Sequence, residues 1–267
     1  MASVLFLFLT HLGIGIAASL VLVGKDAGAK FFRFNAGLAA TLLLIALAFR
    51  PESDADPVLA SVNRVPLLVA TAALLVYWAS IGRGLAALRP VLLWTTIGGG
   101  VVAMVIQGLA LSAGGPAAPS PLLTVASFLA SAALLGGACT AMILGHWYLV
   151  LPSMDVKLLQ WVVKFHIGSV ALRTLVVAVV LWVAFTTWQA PSGAGYERYA
   201  FSVDGVFLWQ RLLFGLASPA LLSYLTWETA KIRSTQSATG ILYVDFFTVV
   251  VGEVLAKYLL VVTRVPL

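Results

Sequence analysis

Apolar residues in this chain come in long unbroken runs, with polar and charged positions gathered between them. Eight runs stand out: Val4–Leu22, Phe34–Phe49, Val65–Ile81, Val91–Ala110, Leu122–Val150, Leu158–Trp188, Val206–Thr226 and Ile241–Val262. A helix needs about 20 apolar residues to cross the hydrocarbon core, so eight of them would use about 160 residues. The second run, Phe34–Phe49, is short for a span. Continuous runs argue against a transmembrane barrel, whose strands alternate between lipid-facing and lumen-facing residues. No internal repeat, low-complexity tract or separate soluble domain interrupts the pattern. The expected architecture is an all-α, polytopic transmembrane bundle of about eight spans, forming one integral membrane domain over residues 1–267.

Composition agrees. Of 267 residues, 61% are hydrophobic and 10% charged, against roughly 25% charged in an average soluble domain. The mean hydropathy is +1.04. So few charges cannot cover a soluble surface, which excludes a soluble globular enzyme, a nucleic-acid binder and a disordered chain. A single cysteine, Cys139, excludes a disulfide framework and a cysteine-based zinc or iron–sulfur site. The net charge of +6 is scattered over the ends of the apolar runs, as charges that orient a membrane protein are.

The first run has no Lys or Arg ahead of it. Lys25, Lys30 and Arg33 follow it, the reverse of a secretion signal, so it reads as a retained helix. Odd-numbered loops hold Lys25, Lys30, Arg33, Arg83, Arg89, Lys157, Lys231 and Arg233. The opposite side holds Arg50, Arg64, Arg198 and Arg264 with Glu52, Asp54, Asp56, Glu197 and Asp204. The positive-inside rule places the first set in the cytoplasm and both termini outside, in a bacterial inner membrane. The fifth loop, Leu151–Lys157, is tight and predicts an antiparallel hairpin of the fifth and sixth helices. The sixth, Gln189–Asp204, is long and polar. It reads as a solvated connector or, alternatively, as a docking surface for a partner. Trp94, Trp147, Trp188, Trp209 and Trp227 lie toward span ends, as interface anchors do.

Ionisable residues inside a span are expensive and mark function by default. The candidates are His11, His146, Lys164, His166, Arg173, Arg211, Glu228, Asp245, Glu253 and Lys257. All three histidines of the chain fall within runs. Buried histidines in lipid suggest haem iron, a proton relay or a quinone-binding group. His146 lies eight residues before Met154, near the hairpin tip, and His166 twelve after it, a height difference of roughly 6 Å. They are the candidate axial ligands of one haem b. His166, Ser169 and Arg173 share a stripe at i, i+3, i+7, and Arg173 and Lys164 could reach propionates. On the fifth helix Ala132, Leu135, Cys139, Met142 and His146 share a stripe. Its small residues leave room for a macrocycle and Leu135 limits it. The same features equally describe helices packed through small residues, with His146 an interfacial histidine beside Trp147 and Tyr148.

A second cluster is expected toward the outer face. Glu253 and Lys257 are i, i+4 and can pair; Arg211, His11 and Gln107 lie at similar depth. Such a set could hold a quinone headgroup and its proton route, or simply tie helices together. Asp245 could begin a proton path toward Glu253, and Glu228 could pair with Lys231 or Arg233. The chain carries no Walker motif, HExxH, GxSxG, CxxCH or DDxxD-type cluster.

Three functions follow as expectations. The leading one is a redox subunit binding haem b, quinone or both, passing electrons between a partner subunit of a membrane complex and the quinone pool. The second is a proton-coupled transporter or channel lined by His11, Arg211, Asp245, Glu253 and Lys257. The third is a cofactor-free anchoring or assembly subunit. In architecture alone the chain resembles the multi-helix integral subunits of respiratory complexes, an analogy that does not establish function.

Overall fold

The structure, a computed structural model, describes residues 1–50, 57–84, 86–112, 120–151, 154–187 and 195–267, less the side chains of 57–63. Glu52, Asp54, Asp56 and Trp188 therefore lie outside the described residues, as do Pro152 and Ser153 of the fifth loop and residues 189–194 of the sixth.

The longer elements among the described residues are helices: α1 (Ala2–Ser19), α2 (Gly28–Ala48), α3 (Pro57–Ser80), α4 (Arg89–Ser112), α5 (Pro121–Val150), α6 (Lys157–Thr187), the short α7 (Tyr196–Ala200), α8 (Val206–Leu212), α9 (Ser218–Lys231) and α10 (Thr235–Thr263). A π turn over Leu213–Ala217 joins α8 to α9 in one rod. Among the described residues seven rods are long and apolar enough to cross a membrane, and Arg64–Ser80 is a shorter apolar helix. This is a multi-pass membrane protein. Trp94, Leu175, Trp182 and Phe247 are at least 60% exposed on its outside; such a surface needs lipid rather than water around it.

The second run is not the short one. It extends back to Gly28, taking in Lys30 and Arg33, and the Arg33 guanidinium lies 5.5 Å from the Trp78 ring centroid. A long cationic side chain lays its stem on apolar surface while its head leaves the membrane core, so these charges do not end the helix.

Helix α1 runs through the middle of the bundle, in contact with α2, α4, α5 and α10. A helix apolar on all sides must be buried on all sides, and most of α1 is. It crosses α5 at Gly15 and Gly136, where a methyl on either glycine would overlap the backbone of the other helix. Ser19 Oγ then lies 2.5 Å from Thr140 Oγ1 across the same interface. In lipid, such close backbone approach and interhelical hydrogen bonding hold helices together.

The α5–α6 hairpin forms as expected. The Tyr148 hydroxyl pins it, donating to the Asp155 carbonyl and accepting from the Leu159 N–H. Helices α5 and α9 each pack against both α6 and α10. The four make a ring, with α6 and α10 diagonally across it.

Candidate functional site

The interior of this ring is polar. Glu253 of α10 is fully buried and receives five donors. Arg173 of α6 reaches across with Nε 2.9 Å from Oε1 and Nη2 3.2 Å from Oε2. Arg211 of α8 places Nη2 2.8 Å from Oε1. Lys257 Nζ lies 2.6 Å from Oε2, one turn further along α10. Ser131 of α5 donates to Oε2 at 2.5 Å and also contacts Lys257 Nζ. Arg173 further donates to Ser127 Oγ at 2.7 Å and to the Leu267 carbonyl at 2.8 Å. His11 of α1 joins the edge of the network, with Nδ1 3.2 Å from Ser131 Oγ and its ring against Phe128.

Local sequence explains how Arg211 enters. Pro219 cannot donate to the carbonyl four residues back, that of Gly215, so the helix there is free to widen. The π turn sits over this stretch, and π turns often occur at functional sites. Gly215 and Gly252 meet where the rod crosses α10. A methyl on Gly215 would overlap Arg211 Nη1, and one on Gly252 would overlap the Gly215 backbone. The two missing side chains are the space the guanidinium uses.

About 12 Å along α10, at eight residues of 1.5 Å rise, a second pair bridges the ring. His166 Nε2 is 2.6 Å from Asp245 Oδ2, and both side chains are fully buried. The contact is close, but its angles fall outside hydrogen-bond geometry, and His166 Nδ1 and Asp245 Oδ1 have no protein partner either. Ser169, between His166 and Arg173, donates to the His166 carbonyl at 2.7 Å. His166, Ser169 and Arg173 thus form one buried stripe on α6, facing Asp245 and Glu253 on α10.

The expected sets are redistributed. Glu253, Lys257, Arg211 and His11 do come together, and Glu253–Lys257 pair at i, i+4. Arg173, placed in sequence beside a haem, belongs instead to Glu253. Asp245 meets His166. Lys164 is exposed and stacks on Trp227, its Nζ 5.0 Å from the ring centroid. Gln107 is buried with neither side-chain atom hydrogen-bonded. Glu228 pairs with Lys231 at 2.6 Å on the surface.

His146 and His166 do not face one another. His146 Nδ1 is 2.8 Å from the Tyr243 hydroxyl, while His166 contacts Asp245. Residues 243 and 245 point about 200° apart on a helix of 3.6 residues per turn, so the two histidines touch opposite faces of α10. Axial ligands must meet across one iron, and this arrangement does not fit a haem held between the two. His146 and Tyr243 instead edge a groove of about 450 Å³, lined also by Leu12, Phe34, Cys139 and Met142. Among the described residues no group of three or more His, Cys, Asp or Glu could hold a metal ion.

Ser127, Ser131 and Tyr243 were not singled out by sequence. The i, i+4 serines on a single α5 stripe were the available signal for the first two. No family model matches the chain, and no curated protein is detectably similar to it in sequence.

Proposed function

We propose that the protein is a proton-conducting transporter or channel whose working parts are the buried side chains of the α5–α6–α9–α10 ring. The observation that carries this reading is the stripe on α6 meeting the stripe on α10: His166 on Asp245, and Arg173 on Glu253, all at most 1% exposed. Burying ions costs several kcal/mol each, and well-packed apolar replacements are often as stable or more so. Ionisable residues kept at such depth face transport or proton pathways far more often than lipid. The His166–Asp245 contact is the proton site of this reading, an imidazole and a carboxylate side by side in the buried interior of the ring. Orientation follows the loop charges, with eight spans and both termini outside.

The test is proton flux into proteoliposomes carrying a trapped pH dye, with a potential imposed across the vesicle. Wild-type protein should acidify the lumen. Asp245→Asn and Glu253→Gln should fall to the rate of protein-free vesicles while still eluting as folded protein. Absent wild-type flux under every gradient, or variants that conduct as wild type does, would overturn the proposal.

The groove favours a second reading, in which the chain binds a quinone. An apolar groove with one imidazole–phenol pair at its edge suits an amphiphile with a carbonyl headgroup. A photoreactive quinone analogue should label the peptides containing His146 and Tyr243, and excess quinone should prevent it. Labelling that excess quinone leaves unchanged would remove this reading.

A further inference from the structure

Lys30, Arg33, Phe34, Gly37 and Leu38 recur at i, i+3, i+4, i+7 and i+8, so they share one face of α2. With Trp78 of α3 they line an open groove of about 470 Å³. Its two ends differ in character. Lys30 and Arg33 lie near the start of α2, while Phe34 and Leu38 carry the groove deeper, about 12 Å from first residue to last at 1.5 Å per residue. Trp78, near the end of α3, forms the facing wall. It packs so close because residue 37 is glycine: a methyl there would come within 2.9 Å of the indole Nε1.

The cations at the mouth are not neutralised. Among the described residues neither Lys30 nor Arg33 pairs with a carboxylate, and the Arg33 guanidinium lies over the Trp78 ring. Two more cations at this end are occupied with the backbone. Arg83 donates to the Ala79 carbonyl at 3.1 Å, and Arg89 to the carbonyls of Ser80 and Arg83 at 2.8 and 3.0 Å. The two loops here, residues 23–29 and 81–88, contain one acid, Asp26. The groove therefore offers positive charge above and apolar surface below. Basic pockets between transmembrane helices hold anionic lipid headgroups, and a guanidinium fork matches phosphate oxygens.

We infer that this groove is a binding site for an anionic phospholipid, its phosphodiester held between Lys30 and Arg33 and the upper part of one acyl chain lying along Phe34, Leu38 and Trp78. A soluble phosphate ester would satisfy the cations and leave the apolar half unfilled. A zwitterionic lipid would bring its own positive charge toward Lys30 and Arg33. The site stands independently of the transport reading above.

Native mass spectrometry of the detergent-solubilised protein tests this, with phosphatidylglycerol and phosphatidylcholine of identical chains offered in equal amounts. The wild type should retain phosphatidylglycerol first. One interfacial cation is worth a factor of roughly five in that preference, so Arg33→Gln should cut it about that much, and adding Lys30→Gln should remove most of the rest. Lys25→Gln takes the same charge from the same end outside the groove and should leave the preference unchanged. Leu38→Trp fills the apolar half, keeps both cations, and should retain less phosphatidylglycerol. Each variant is read on protein that elutes as the wild type does. Equal retention of the two lipids by the wild type would overturn the inference, as would a loss in Lys25→Gln equal to that in Arg33→Gln, which is bulk charge alone. So would a Leu38→Trp protein that binds as fully as wild type, displacement of the lipid by excess glycerol phosphate, or a lipid-free dimer in place of the adduct.

Discussion

The buried ionisable residues of the ring lie against specific neighbours, Glu253 against three cations and Asp245 against His166, and these neighbours set what a substitution does. Removing one member of a buried pair leaves the other charge uncompensated, which is why Glu253 and Asp245 are more informative targets than the surface pair Glu228–Lys231, half exposed and screened by solvent. Outside the spans, Tyr196 makes a separate case. Burial, and then the neighbouring Tyr199, push its phenol above the ordinary tyrosine range. The folded state therefore prefers the neutral phenol. Stability from this group is complete while the unfolded phenol is also protonated, below about pH 10, and is lost as pH rises beyond that. The unfolding midpoint should drop above pH 10, and Tyr196→Phe should make that drop shallower. An equally steep drop in the variant would place its origin elsewhere, for instance at Tyr199, whose phenol burial also raises.

Elements in this bundle are joined by what their sequences omit. The α1–α5 crossing exists because Gly15 and Gly136 have no side chains, and the entry of Arg211 depends on Gly215, Gly252 and the turn loosened by Pro219. Gly136→Ala should force the two central helices apart and cost about 1–3 kcal/mol, the range for overpacking a tight interior. Gly98→Ala, where an added methyl meets nothing within 4 Å, is the matched control. Equal thermal midpoints for the two variants would show that the crossing is not a tight point. The hairpin of α5 and α6 was legible from its short loop, because few residues leave adjacent helices no alternative to lying antiparallel. The π turn was not legible. One proline inside an apolar run predicts a kink or a break, and only the packing against α10 shows that the chain widens instead.

At the scale of the whole molecule, orientation is the property on which the proposed function depends. The loop charges predict that Arg83 faces the cytoplasm and Arg198 the outside. Cys139 is buried, so single cysteines introduced as Arg83→Cys and Arg198→Cys can be read separately with a membrane-impermeant maleimide. In right-side-out vesicles Arg198→Cys should be labelled and Arg83→Cys protected; the reverse pattern would invert the orientation and with it the direction of any coupled flux.

Composition and run length were enough to show that lipid is the solvent and that the chain is a bundle of long helices, and to pick out its few intramembrane charges. Those properties are local: each depends on what one stretch of about 20 residues can bury, which is written in that stretch. Periodicity also put His166, Ser169 and Arg173 on one face. What no stretch encodes alone is the neighbour that face meets. In lipid, every apolar helix surface is nearly equivalent to every other, so hydrophobic pattern says little about rotation or adjacency. The ring of α5, α6, α9 and α10 supplied the missing information. It took Arg173 from a supposed haem to Glu253, set His166 on Asp245, and put α10 between the two histidines that spacing alone had paired.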